Sequence, residues 1–240
     1  MKAGGIEFDP RSIVMDDKRT ARYLGILLVS AIACGILNTV PALEYPDYLE
    51  KLPSIRTWVL TAVFFQAVMA TIYVYIAVLF NQVLRKRRDV LATVYLVFRI
   101  VGAAFLYVGI GSLLLLLMLS RRFAAEAPSD PSYYRTLGEL LRQGRDHMNH
   151  IGMVLPWMTG GLILCYGLFK DRLVPRWLSV WGFTGAALTI LATVMLMLEF
   201  IKMATPIYFA LNVPTALFEL TLAARLAFRG FDEDVRPAVR

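Results

Sequence analysis

Few side chains in this 240-residue chain could do chemistry, and most of them stand in apolar company. In "DHMNH", Asp146 to His150, two histidines at i and i+3 share one face of a helix, and with Glu199 they make a candidate metal site of His147, His150 and Glu199. The spacing is not the H-E-x-x-H of metalloproteases, and a histidine at the edge of an apolar run also serves as a plain interfacial polar residue. Asn38, Gln66, Glu199 and Asn212 fall towards the same end of successive apolar runs, and these four are the candidate ligand-binding set.

Arg99 is the sole charge between Asp89 and Arg121. Left unpaired in a bilayer it costs at least ~2.5–3.5 kcal/mol. Glu219 lies at a similar depth in the last apolar run, so one reading is an intramembrane ion pair, Arg99 with Glu219. The other is that the true span is Ile100–Leu119 and Arg99 snorkels to the headgroups. Glu219 has no such escape, because stopping its run before it leaves too few residues to cross.

The elements that must position these residues follow from composition. Hydrophobic residues make up 58% of the chain and charged ones 18%, with a mean hydropathy of +0.60, which is membrane composition. Crossing a ~30 Å hydrocarbon core takes ~20 apolar residues. Six runs qualify: Tyr23–Val40, Trp58–Phe80, Val90–Leu119, Ile151–Phe169, Leu178–Phe200 and Pro206–Phe228. None shows barrel-like alternation, so the expected fold is all-α, a six-helix polytopic bundle over residues 23–228, with an N-terminal segment 1–22 and a C-terminal tail 229–240.

Basic residues set the orientation. Sixteen of the 25 Lys and Arg flank one side of the runs, both termini included, and eight flank the other, five of them in a single long loop. The positive-inside rule therefore places both termini in the cytoplasm of a multi-pass protein of the cell (inner) membrane. Because the charge is distributed between spans, the net +7 is topology and not a nucleic-acid footprint. The expected partners are membrane lipids and a small-molecule ligand. Cys34 and Cys165 both lie within apolar runs, which excludes a disulfide scaffold.

The long loop Ser120–His150 has structure of its own. Asp130 and Pro131 make an N-cap and first-turn pair, and Tyr133, Tyr134, Leu137, Leu140, Leu141 and Met148 recur at helical spacing. This predicts an amphipathic helix in the outer loop between the third and fourth spans, lying on the leaflet or covering the bundle. Pro156 and Pro214 interrupt the fourth and sixth spans and free the carbonyls of Gly152 and Ala210. Such carbonyls serve binding sites in some membrane proteins and are satisfied by neighbours in others. There is no glycine-rich nucleotide loop, no paired intramembrane aspartates and no serine–histidine motif, and no cofactor is indicated.

Three stretches carry a resemblance: "RTARYLGILLV" (Arg19–Val29), "GLILCYGLFKDRLVPRWLSVWGFTGAAL" (Gly161–Leu188) and "VPTALFELTLAARLAFRGF" (Val213–Phe231). They resemble the bacterial integral membrane family known as domain of unknown function 4386, with its Val-Pro step (Val174–Pro175), its late Pro-x-x-x-x-Glu (Pro214 to Glu219) and its closing Arg-Gly-Phe (Arg229–Phe231). The resemblance implies a multi-helix membrane protein and supplies no catalytic residues.

Together the readings favour binding or transport of a small or lipid-like molecule. A metal-dependent membrane enzyme with an outer His/Glu site and a structural or regulatory subunit are the alternatives.

Overall fold

The computed structural model describes residues 17–203 and 205–232. Most of the two expected tails lies outside the described residues. Among those described there is no strand, and six helices are long and apolar enough to cross a membrane.

The bundle helices are α1 (Asp17–Leu37), α3 (Arg56–Arg85), α4 (Asp89–Glu126), α6 (Val154–Lys170), α7 (Arg176–Met197) and α8 (Pro206–Phe228). Two more, the single turn α2 (Tyr48–Lys51) and α5 (Ser132–His147), lie between them. The start of α1 and the end of α8 meet at one face, where Lys18 and Arg22 border Phe228–Asp232. This terminal face is tied by ion pairs: Lys86 to Asp17 at 2.5 Å, and Arg88 to Asp171, at the end of α6, at 3.1 Å. Apolar helices gain no hydrophobic energy by packing within lipid, so close backbone approach must hold them together. At Gly25 of α1 a Cβ would stand 2.6 Å from the Ala223 carbonyl oxygen of α8, and only glycine permits that approach.

The third span behaves differently from its expected range, Val90–Leu119. Helix α4 runs 38 residues, ~57 Å at 1.5 Å per residue, nearly twice the hydrocarbon thickness. Its distal third is apolar because it forms the core of a cap. Leu113, Leu116, Leu117 and Leu119 are buried with Leu43, Tyr48, Leu49 and Leu52 of the loop after α1. The Ser120 hydroxyl donates to the Leu49 carbonyl at 2.5 Å and closes the joint.

The amphipathic helix exists, and it covers the bundle instead of lying on the leaflet. Asp130 accepts hydrogen bonds from the Ser132 N–H (3.0 Å) and hydroxyl (2.9 Å) at its start, and Tyr134, Leu137 and Leu141 pack onto the cap core. Helix α5 then runs on into α6 through a π-helical turn, Met148–Gly152, in which the Met153 N–H reaches back to the Met148 carbonyl at 2.9 Å. Pro156 cannot donate to the Gly152 carbonyl, and the widened turn just before it absorbs the misfit.

Candidate functional site

The π turn aims the side chains of its middle residues into the bundle mouth. Asn149 and His150 face a cavity of about 660 Å³ at the distal face, lined also by Asn38 of α1, Gln66 of α3, Arg145 of α5 and Tyr208 of α8. Met69, Leu106, Met153, Met203 and Phe209 supply its apolar wall. A pocket of this size with a few convergent polar groups suits one small molecule.

Each polar group is held by a neighbour while keeping capacity to spare. Gln66, buried at 1% exposure, donates through Nε2 to the Leu106 carbonyl (3.0 Å) and to Asn149 Oδ1 (3.1 Å), so its own carbonyl oxygen remains for a ligand. His150 Nδ1 and the Tyr208 hydroxyl are hydrogen-bonded at 2.8 Å, which ties the π turn to α8 and leaves Nε2 uncommitted. Gly109 of α4 makes room, because a Cβ there would overlap the Asn149 carboxamide. On the rim, Arg145 Nη1 bonds Asp146 Oδ1 at 2.9 Å while its Nε is buried without an acceptor.

The four residues of the expected ligand set separate. Asn38 and Gln66 line the cavity. Asn212 turns back on its own helix, donating to the Tyr208 carbonyl at 2.8 Å. Glu199 sits exposed in the turn after α7, with φ of 61°. The expected metal ligands do not assemble either: among the described residues no three of His, Cys, Asp or Glu converge on one point. His147 is exposed, His150 is engaged by Tyr208, and Glu199 belongs to a different turn. The i, i+3 spacing was sound only for a regular α-helix, and the π turn begins directly after His147.

Two helical turns along α4 from the cavity-lining Leu106 lies a second polar group. Arg99 is 7% exposed on the inner face of α4, so it does not snorkel to the surface. Its guanidinium carbon stands 3.9 Å from the Trp157 ring centroid and 5.4 Å from that of Tyr95, and its stem lies against Gly160. No carboxylate among the described residues comes within 4.0 Å of it, its Nε has no acceptor, and the buried Tyr95 hydroxyl has no partner. Glu219 is half-buried on α8. The Tyr73 and Trp157 rings pack 4.1 Å apart beside this cluster.

Asn149, Tyr208, Tyr73, Tyr95 and Trp157 carried no motif. The available signals were the position of Asn149 inside "DHMNH" and that of Trp157 seven residues into a span, too deep for an interfacial belt.

A family model described as "Domain of unknown function (DUF4386)" matches residues 21–230, and the chain belongs to that family. No curated protein and no solved structure matches it.

Proposed function

We propose that this member of the family binds a small amphiphilic molecule in the distal cavity and passes it between the water on that side and the interior of the bundle. The observation that carries this reading is the cavity itself, with unspent amide and imidazole groups set against a thioether and aliphatic wall. Met69, Met153 and Met203 suit a flexible apolar body, because methionine adapts its shape to what it packs against. The amides and His150 suit a neutral hydrogen-bonding head. With both termini cytoplasmic and the protein in the cell membrane, as the basic residues argue, the cavity opens outward.

Native mass spectrometry of protein gently extracted from its own membrane tests the reading. One small molecule at fixed stoichiometry is expected, and it is lost in the folded Gln66→Leu/Asn149→Leu variant. Repeatedly bare protein, or a molecule retained unchanged by that variant, would refute it.

A further inference from the structure

The turn between α3 and α4 carries four cations in a row, Arg85 to Arg88, and three of them are matched by carboxylates. Arg85 pairs with Asp89 at 2.6 Å and Lys86 with Asp17 at 2.5 Å. Arg88 reaches both oxygens of Asp171 at 3.1 Å, with its guanidinium carbon 5.8 Å from the Tyr166 ring centroid. Arg87 has no carboxylate among the described residues. Its Nη1 meets the Asp171 carbonyl oxygen at 3.4 Å, a long contact, and Nε and Nη2 are uncommitted. The carboxylates nearest to it in the turn, Asp89 and Asp171, are already spent on its neighbours.

Arg87 and Arg88 head a groove of about 570 Å³ on the side of the bundle between α4 and α6. Away from them the wall is aliphatic: Val90, Leu91 and Val94, which share one face of α4, and Ile163 of α6. Val90 and Val94 are exposed and Leu91 and Ile163 half-buried, so the groove opens on the lipid-facing surface. Val94 lies ~8 Å along α4 from Asp89, and Ile163 ~10 Å along α6 from Lys170, at 1.5 Å per residue. The wall therefore reaches from the basic turn, where the apolar span begins, into the hydrocarbon.

We infer that this groove holds one anionic phospholipid, its phosphate on the Arg87 fork and the start of an acyl chain along Val90, Leu91, Val94 and Ile163. A planar guanidinium matches two phosphate oxygens at once. A soluble phosphate has nothing to lay on the aliphatic wall. A zwitterionic lipid brings its own cation to the phosphate, whereas a phosphoglycerol head leaves the whole anion to Arg87. The groove stands at the opposite end of the bundle from the distal cavity and does not depend on what that cavity binds.

Native mass spectrometry of the full-length protein in neutral detergent, titrated with dioleoylphosphatidylglycerol or dioleoylphosphatidylcholine, tests the inference. One phosphatidylglycerol should bind ahead of all further lipid, and at least about fivefold more tightly than phosphatidylcholine, the usual contribution of one basic residue at an anionic headgroup. Arg87→Ala should abolish that preference. Lys86→Ala removes the same charge from the same turn but outside the groove, and should keep it. Val94→Trp fills the aliphatic wall with every charge in place, and should weaken the first lipid. Excess glycerol 3-phosphate should not displace it. The inference is overturned if the folded protein shows no preferred phosphatidylglycerol, or if Lys86→Ala and Arg87→Ala lose the preference equally, as a diffuse basic surface would. It is overturned as well if Val94→Trp binds the lipid unchanged, or if glycerol 3-phosphate competes as well as lipid and so identifies the occupant as a soluble phosphate.

Discussion

At the scale of single residues, Arg99 decides most. A desolvated guanidinium over an indole is worth ~2 kcal/mol or more, and that stacking, not a formed ion pair, is the direct contact Arg99 makes. Two predictions follow from the arrangement. Trp157→Leu should lower detergent stability by about 2–4 kcal/mol, the packing loss of a buried aromatic plus the exposed charge, read as a fall in Tm. In a cycle of Arg99→Gln and Glu219→Gln, the double variant should be more stable than the two single losses predict, by at least ~1 kcal/mol, because each single change strands the opposite charge in the bundle. Strict additivity would mean that the two charges ignore each other. The sequence placed both charges at a similar depth but could not supply the third partner. A tryptophan inside a span looks like packing until its ring is seen beneath the guanidinium. The same limit hid Asn149 and Tyr208, whose roles come from which way a π turn and a kinked helix face.

At the scale of elements, spans were legible because bilayer thickness fixes their length, and each of the six runs holds a helix of the bundle, two of them overrunning it at Asn38–Val40 and Leu198–Phe200. What apolarity could not reveal was where lipid ends and the cap begins, since Leu113–Leu119 are as greasy as a span while facing protein. The cap joint therefore gives its own prediction. Ser120→Ala leaves the buried Leu49 carbonyl without its donor, at ~1–3 kcal/mol; hydrogen exchange in residues 41–55 should accelerate while the bundle helices remain protected. Unchanged exchange there would show the cap to be held by its apolar core alone. A second element-scale prediction concerns α1 and α8. Gly25→Ala drives a methyl against rigid Ala223 backbone, and overpacking of that kind costs about 1–3 kcal/mol. Its Tm should fall although alanine is the better helix former, and a rise would mean that the two helices part without penalty.

At the scale of the whole molecule, the proposed function depends on which side the cavity faces, and the asymmetric placement of basic residues predicts the outer one. The chain offers a direct check, because both native thiols, Cys34 and Cys165, are buried within the bundle and buried apolar thiols react poorly. Replacing both with alanine gives a background for single reporters. Tyr45, 55% exposed in the loop beside the cavity, and Lys170, exposed where α6 ends at the terminal face, sit at opposite ends. In intact cells a membrane-impermeant maleimide should label Tyr45→Cys at once and Lys170→Cys only after permeabilisation. Reversed labelling would turn the cavity to the cytoplasm. A molecule taken up in the cavity would then reach it from inside the cell. The structure of the site would be unchanged and the side from which it is reached inverted, so this labelling fixes the orientation of the cavity independently of the ligand's identity.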